Sequence, residues 1–257
     1  MNAAAGIAFT AGLVFYGAAA AAAPAGLVRL YRLSAAGALA SHLLYILLRW
    51  RISGHPPILG TFEESLCAAW SVTLSALLMD RQGRTAAFTA PFAFLTLLYG
   101  LGFETGPRPL IISEQSLWVY FHALFAWAAY GPYTVSFAAA LRILWGRGEG
   151  DGPRRILYAG LLYGLMGQTV MFVLGSYYSS LLHGALWTWD PVEYLFVVSW
   201  LVFAAAVHGR IFFGWSQRRV ARWAAAGFLA AVVLYWGLVY FPWSTYHVFD
   251  PEYKIHG

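Results

Sequence analysis

The residues best suited to chemistry in this chain form a polar and aromatic cluster at positions 183–193, which contains Trp187, Trp189, Asp190 and Glu193. The cluster lies between two long apolar stretches. Indole rings supply stacking area and are stable among lipid headgroups, and the carboxylates add polar contacts beside them. This combination suits a large, planar, partly apolar ligand with polar edges, and haem is such a ligand.

Composition predicts a membrane protein. Of the 257 residues, 60% are apolar and 11% are charged, whereas soluble domains carry roughly 25% charged residues. The apolar runs predict an all-α, polytopic membrane bundle that forms a single integral membrane domain over residues 1–257, with a tryptophan-rich outer loop at about 177–193. The lone Cys67 excludes an internal disulfide and any cysteine-built metal site.

Eight transmembrane helices are predicted, at about 3–23, 31–49, 62–79, 86–102, 117–141, 155–176, 193–213 and 221–241. Twelve of the 16 basic residues fall in the links after the first, third, fifth and seventh spans. The positive-inside rule therefore puts both termini and the tryptophan loop on the non-cytoplasmic side. This distribution assigns the arginines to membrane orientation and argues against a nucleic-acid partner.

The first span resembles a signal peptide in its alanine run, but no Lys or Arg precedes it. A secretory signal normally begins with positive charge, so we expect this span to be retained. Glu63 and Glu64 at the start of the third span face the positive end of the helix dipole. Pro91 within the fourth span is tolerated because neighbouring helices can satisfy the freed backbone groups.

The histidines fall into depth classes. His122 is expected roughly 8 Å below the outer edge of span five, whereas His208 lies fifteen residues after Glu193, roughly 22 Å deeper. His247 follows the last span on the outer side, and His183 occupies the outer loop. A neutral imidazole is a good iron ligand, so two depths suggest two haem positions. Each buried histidine is equally consistent with a hydrogen bond to a neighbouring helix, and His42 is expected to be structural.

The tryptophans have a plain alternative explanation as well. Trp and Tyr form belts at membrane interfaces for physical reasons alone. The close spacing of Trp187 and Trp189, followed by Asp190-Pro191 and Glu193, distinguishes them from such a belt. Asp190 just before a proline is also expected to be the N-cap of the next helix.

These residues resemble the CcsA (ResC) family of cytochrome c assembly proteins. The family signature reads Trp-Gly-x-x-Trp-x-Trp-Asp-Pro-Lys-Glu, and residues 183–193 follow its spacing. The segments at 62–66, at 121–130 and at 207–210 resemble further family segments, so the likeness covers most of the chain from about residue 60.

The resemblance implies cytochrome c biogenesis with haem b as the cofactor. It implies that the tryptophan loop, with Trp187, Trp189, Asp190 and Glu193, holds haem on the outer face, and that His122 and His247 are axial ligands of the iron. His208 would belong to an intramembrane haem position. The family acts with a CcsB (ResB) partner, receives or exports haem and attaches it to the Cys-x-x-Cys-His segment of apocytochrome c.

By the same resemblance, the chain is half of a holocytochrome c synthase (haem lyase). It implies a bacterial inner membrane or thylakoid membrane, an active site on the periplasmic or lumenal side, contact with membrane lipid and an indirect link to thioredoxin-like thiol reductants. Positioning of haem and thiols would be the main catalytic contribution.

Three features depart from the family pattern. Position 183 is His where the family has Trp, Val192 replaces Lys, and the surroundings of His247 match only loosely. His183 is either an additional haem ligand or a solvated loop residue. CcmC, a haem-handling protein of similar size, is a more distant relative.

Two other functions remain open from the sequence. One is a di-haem b-type electron-transfer subunit, for which the sequence offers only His42 and His208 at depth. The other is a transporter of a different amphipathic molecule, with the aromatic loop as its outer gate.

Overall fold

The protein is a bundle of α-helices, described here from a computed structural model that covers residues 3–58, 60–107, 109–147 and 150–234. These residues form eight α-helices and a short 3₁₀ turn at Ile112–Glu114. The helices are α1 (Ala3–Ala22), α2 (Val28–Ser53), α3 (Thr61–Met79), α4 (Ala86–Gly100), α5 (Leu117–Leu144), α6 (Asp151–His183), α7 (Pro191–Phe213) and α8 (Gln217–Val232). The predicted helical bundle is confirmed.

The bundle is that of an integral membrane protein. Four of the described helices, α1, α2, α6 and α7, are long and apolar enough to cross a membrane. Large apolar side chains such as Leu33, Val173 and Leu201 are exposed on its outer surface, as expected where lipid replaces water as the solvent. The orientation of the bundle in the membrane and the number of spans stay predictions.

Two groups of four helices make up the bundle. In the first, Tyr16, Ala38, Leu66 and Leu97 form part of one core shared by α1, α2, α3 and α4. In the second, α5 to α8 enclose a larger core. The groups meet where the hydroxyl of Ser71 on α3 donates to the carbonyl of Trp127 on α5, so α5 is the link between them.

Close packing of α5 on α6 depends on small residues. A Cβ atom added at Gly160 would lie 2.6 Å from the Pro132 carbonyl oxygen, and one at Gly164 would lie 2.4 Å from the Tyr133 ring. Small residues permit such approach between membrane helices, where packing rather than the hydrophobic effect drives association. The close packing fixes how α5 and α6 are aligned along their lengths. It therefore also fixes where the start of α5 and the end of α6 lie relative to each other.

A buried hydrogen-bond network joins this pair to α7. The Tyr133 hydroxyl donates to Gln168 Oε1 over 2.8 Å, and Gln168 Nε2 donates to the Ser199 hydroxyl over 3.0 Å. Each of these polar groups is satisfied by a neighbour, which is what makes a buried network stabilising rather than costly. The three helices are therefore locked in register.

The connections collect at two ends of the bundle. One end, called the tryptophan end, contains the connection from α6 to α7. It also contains the C-terminus of α2, the N-terminus of α3 and residues 101–107, and Arg49 joins these three segments by hydrogen bonds. The arginine end holds the connections from α1 to α2, from α3 to α4, from α5 to α6 and from α7 to α8. There the Arg32 guanidinium donates to the Arg81 carbonyl over 2.8 Å.

The main boundary difference from the sequence prediction concerns α6. This helix continues to His183, seven residues past the expected end at 176, because the apolar run through Leu181 and Leu182 extends it. Gly184, in the left-handed conformation with φ of 71°, then ends it. The connection to α7 is therefore Gly184–Asp190, and residues 177–183 belong to the helix.

Candidate functional site

The tryptophan loop, residues 184–190, is a short connection held at both ends. At its start the Gly184 N–H donates to the Ser180 carbonyl, and the Ser179 hydroxyl donates to the Ala185 carbonyl over 2.8 Å. At its end Asp190 is the N-cap of α7, accepting from the Val192 N–H over 2.9 Å. The expected N-cap role of Asp190 is confirmed, with Pro191 at the first helical position.

The carboxylate of Glu193 folds the loop onto the first turn of α7. It accepts from the Thr188 N–H at 2.9 Å, from the Thr188 hydroxyl at 2.9 Å and from the Asp190 N–H at 3.3 Å. Hydrogen bonds to an ionised acceptor are among the strongest in proteins. Glu193 and Asp190 therefore shape the loop from within, and Thr188, which the sequence did not single out, is the main partner of Glu193.

Trp189 is held out of the protein by a strained backbone. Its φ is 63°, the only positive value at a non-glycine residue in the described ranges. A bulky residue adopts this conformation rarely, and such strain clusters at functional sites. The residue is 68% exposed, so the loop presents a large aromatic ring outward at an energetic cost.

The aromatic rings of the site do not form one flat platform. The Trp187 and Trp189 ring centroids are 6.0 Å apart with an interplanar angle of 89°, and Trp187 is also perpendicular to Tyr194. Tyr194 is tilted by 44° to Trp189. The exposed ring surface therefore comes from Trp189 and Tyr194, while the half-buried Trp187 supports them edge-on.

The indole N–H of Trp187 has no hydrogen-bond partner in the described part of the chain, and its Nε1 atom is buried. Buried donors are normally satisfied, and an exception in a native protein needs an explanation such as a ligand or an ion. Trp187 also contacts Phe172 of α6 edge-to-face at 6.2 Å, which ties the loop to the neighbouring helix.

His122 lies at the same end of the bundle, on the first turns of α5. Its Nδ1 atom is 3.0 Å from the Met171 carbonyl oxygen on α6, and Met171 is followed directly by Phe172, the partner of Trp187. Gly175 makes room for the ring, since a Cβ atom there would lie 2.7 Å from His122 Nδ1. A ring N–H donated to a backbone carbonyl is the usual support of a metal-binding histidine.

His208 belongs to the other half of α7, near the arginine end. Its Nδ1 donates to the Ala204 carbonyl one turn earlier over 2.8 Å, and its ring stacks on Phe212 at 5.7 Å. The imidazole is exposed on the surface of the bundle. His208 and the tryptophan loop therefore lie toward opposite ends of α7, and the depth of His208 in the membrane stays a prediction.

The remaining histidines do not join the site as a group. His183 is the last residue of α6 and is exposed. His42 contacts Tyr16 and Tyr45 in the first group of helices. His208 instead contacts Phe212 on α7, in the second group. His247, predicted as an axial ligand, lies outside the described residues.

A buried ion pair at the tryptophan end was not foreseen from the sequence. Arg49 Nε donates to Glu63 Oε1 over 2.7 Å, and both side chains are buried. The same guanidinium donates to the carbonyls of Thr105 and Gly106 over 2.7 and 3.0 Å. Arg49 therefore fastens the chain after α4 to α2 and α3, and the only signal for it was Glu63 at the start of an apolar span.

The fold and the site together define a polytopic helical membrane protein that displays a tryptophan loop, closed by an Asp-Pro N-cap, at one end of the bundle. The sequence matches the family described as "Cytochrome C assembly protein" over residues 58–242. The chain belongs to this family, as the resemblance of its tryptophan motif predicted.

Curated relatives narrow the family relationship. The chain is 25% identical to the cytochrome c biogenesis protein CcsA of Prochlorococcus marinus (strain AS9601), with 76% of each protein covered. It is 28% identical to the protein of the same name from Parasynechococcus marenigrum (strain WH8102), with 78% of this chain and 81% of the relative covered. The predicted membership in the CcsA group of cytochrome c biogenesis proteins is confirmed.

A solved structure shares the fold. The chain named cytochrome c heme lyase CcmF superposes with a TM-score of 0.70 over 91% of this chain, at 19% sequence identity. The present chain spans about half of CcmF, since 47% of that protein is covered. At this identity the match is evidence for the helical architecture alone.

Proposed function

We propose that this protein binds haem at its tryptophan end and presents it for covalent attachment to apocytochrome c. Membership in the cytochrome c assembly family supports the general role. The observation that carries the proposal is the exposed indole of Trp189 on a strained backbone, because the positive φ has an energetic cost that a tryptophan in an ordinary interfacial belt does not carry, and such strain clusters at ligand sites.

Haem fits the residues of the site. Its flat macrocycle would stack on Trp189 and Tyr194, and the Nε1–H of Trp187, which has no partner within the described ranges, is a donor suited to an acidic edge of the ligand. Asp190 and Glu193 act indirectly in this proposal, because their carboxylates are engaged in holding the loop. Haem supplies the vinyl groups that become thioethers, and the protein supplies position.

His122 is proposed as one axial ligand of the iron. A carbonyl oxygen only accepts, so the Met171 contact fixes the hydrogen on Nδ1 and leaves the lone pair of the neutral ring on Nε2. His247 is proposed as the opposite ligand on the basis of the family resemblance. His183, exposed at the end of α6 directly before the loop, is proposed as an additional haem-binding residue.

His208 is proposed to belong to a second haem position nearer the arginine end. Its ring is exposed at the bundle surface and its Nδ1 is fixed by the Ala204 carbonyl. A site on the surface needs a second protein to complete it, and a CcsB-like membrane protein is the proposed partner. Haem would pass through this position before it reaches the tryptophan loop.

Coexpression tests the proposal. The chain is produced with and without a CcsB-like partner in cells that make a reporter apocytochrome c, and covalent haem staining of the reporter is measured. The proposal predicts stained reporter with both proteins and none when either is missing. Trp189→Ala should reduce staining strongly, whereas Trp145→Ala, an exposed tryptophan at the arginine end, should not. Absence of covalent product with both proteins would refute the synthase role.

A further inference from the structure

Three exposed arginines lie close together at the arginine end, where α7 turns into α8. Arg218, Arg219 and Arg222 all fall within the first turns of α8. Residues three or four positions apart on a helix are neighbours, so Arg222 repels both of the others. The arginines also face the positive end of the helix dipole, where cations are unfavourable. Membrane orientation requires basic residues in this connection, but it does not require them in this unfavourable position.

No carboxylate of the surrounding sequence offsets this positive charge. Neither Asp nor Glu occurs between Glu193 and Asp250, and the first turn of α8 contains no acidic residue. The start of α6 at the same end differs, because Asp151 there pairs with Arg154 at 2.8 Å. In the part of the chain that the structure describes, the three arginines of α8 have no ion-pair partner. An anion from outside the chain would relieve both the repulsion and the dipole penalty.

The turn that carries the arginines is held in a fixed shape. The guanidinium carbon of Arg219 lies 4.0 Å from the centroid of the Trp215 ring, which packs against Trp223 at 5.4 Å. Arg210 Nη1 donates to the Trp215 carbonyl over 3.2 Å. A guanidinium held over a ring keeps its N–H groups for another partner, and their fork fits two oxygens of a phosphate. Arg219 is therefore already positioned to bind such a group.

Buried donors without partners lie in the same region. The side-chain Nε2 atom of Gln217, the first residue of α8, is buried and has no hydrogen-bond partner within the described ranges. The same is true of the hydroxyl of Tyr158, whose ring lies 5.6 Å from the guanidinium carbon of Arg210. Buried polar groups are normally satisfied, and exceptions call for a ligand, an ion or water. A ligand that only accepts hydrogen bonds suits this excess of donors.

The end of α7 adds an apolar surface beside the arginines. Its last three residues, Ile211, Phe212 and Phe213, are between 64% and 75% exposed. Aromatic and aliphatic side chains next to arginines suit the boundary between acyl chains and headgroups. Basic residues at such a boundary attract anionic lipids. A soluble anion would match the arginines alone, whereas a phospholipid matches both parts of the surface.

We propose that the α7–α8 turn binds the phosphate group of an anionic phospholipid through the guanidinium groups of Arg218, Arg219 and Arg222. The acyl chains of the lipid lie against Phe212 and Phe213. Binding is non-covalent, and the negative charge stabilises the first turns of α8. The site is separate from the tryptophan loop, so it stands or falls independently of haem binding there.

Native mass spectrometry of the full chain tests this site. The protein is released from micelles that contain equal amounts of phosphatidylglycerol and phosphatidylcholine, and the lipid that stays bound is counted. We expect preferential retention of phosphatidylglycerol, and a loss of about fivefold in that retention for Arg219→Gln or for Arg222→Gln. Arg155→Gln is the matched control, since Arg155 is exposed near the start of α6 at the same end. This variant should retain phosphatidylglycerol as the unaltered protein does.

Equal losses in Arg155→Gln and Arg219→Gln would overturn the proposal, because every arginine at this end would then attract lipid alike. Equal retention of the two lipids by the unaltered protein would overturn it as well. Inorganic phosphate is added as a competitor, and displacement of the lipid by it would show a site for free phosphate instead. Thermal unfolding supplies a second measurement: phosphatidylglycerol should raise the unfolding temperature of the unaltered protein and of Arg155→Gln more than that of Arg219→Gln.

Discussion

The His122 Nδ1 atom lies 3.0 Å from the Met171 carbonyl oxygen, and this contact orients the proposed haem ligand from the neighbouring helix. Met171 precedes Phe172, which packs against Trp187 of the tryptophan loop. The close packing of α5 on α6 therefore sets both the direction of the imidazole and the position of the loop.

Gly175→Ala should weaken haem binding indirectly, by displacing the ring of His122. The added Cβ atom would lie 2.7 Å from His122 Nδ1, so the ring must turn away from its present direction. We expect an affinity about tenfold lower, equivalent to about 1.4 kcal/mol, in a haem titration of the purified protein. Gly12→Ala is the matched control, since its Cβ would meet its nearest neighbour at 3.7 Å. Equal affinities in the two variants would contradict the role given to His122.

Trp189→Gly should change stability and binding in opposite directions. Glycine adopts a φ of 63° without strain, so the variant is expected to be more stable by about 1 kcal/mol. Loss of the exposed indole should at the same time weaken haem binding, by about 1–3 kcal/mol if stacking on haem resembles stacking on a nucleic-acid base. Thermal unfolding and haem titration measure the two effects.

Trp189→Phe serves as the comparison for that substitution. It retains an aromatic ring and the strained backbone, so binding should be partly kept and stability should not rise. If Trp189→Gly lost stability instead, the exposed indole would be a structural element and not a ligand surface.

Glu193→Ala should loosen the tryptophan loop. It removes the acceptor of the Thr188 N–H, the Thr188 hydroxyl and the Asp190 N–H, and each bond to a charged group contributes about 1.5–3 kcal/mol. Hydrogen exchange over residues 184–190 should become faster. Thr188→Val, which loses only the hydroxyl bond, should show a smaller increase, and a loop as protected in Glu193→Ala as in the unaltered protein would rule out this account of its folding.

Arg49→Met should destabilise the protein strongly. It leaves the Glu63 carboxylate buried without its partner and frees the carbonyls of Thr105 and Gly106, and loss of one partner of a buried pair costs about 3–5 kcal/mol. Arg51→Met, at an exposed position on the same helix, is the control and should have little effect on thermal unfolding.

The double variant Arg49→Met with Glu63→Leu separates charge from packing. Replacing a buried ion pair by apolar residues is often nearly neutral, so the double variant should recover much of the stability lost in Arg49→Met. A double variant as unstable as the single one would show that the bonds to the carbonyls after α4 dominate instead.

The sequence predicted the helices well because membrane helices are marked by long apolar runs. The predicted start of α5 at 117 and end of α3 at 79 agree with the structure. The end of α6 was misjudged because Tyr177, Leu181 and Leu182 are compatible with either a helix or an interface. Asp190 was predicted as an N-cap because its signal is local, consisting of a carboxylate followed by proline.

Side-chain partners across helices were not predictable in the same way. Nothing local marks Met171 as the acceptor of His122, or Arg49 as the partner of Glu63, because these contacts depend on how helices distant in the chain pack. The perpendicular setting of Trp187 and Trp189 likewise follows from the positive φ of Trp189 and from the bonds of Glu193 to Thr188. Their spacing in the sequence is typical of the family, but it carries no information about ring planes.

The absorption spectrum of the haem that purifies with the protein tests the central claim most directly. His122→Ala and His247→Ala should each alter the spectrum of haem at the tryptophan end, and added imidazole should restore the His122→Ala spectrum by replacing the lost ligand. His55 lies at the same end, but its Nδ1 atom is hydrogen-bonded to the Pro56 carbonyl. His55→Ala should therefore leave the haem spectrum unchanged. A spectrum that is the same in His122→Ala, His247→Ala and the unaltered protein would contradict the account.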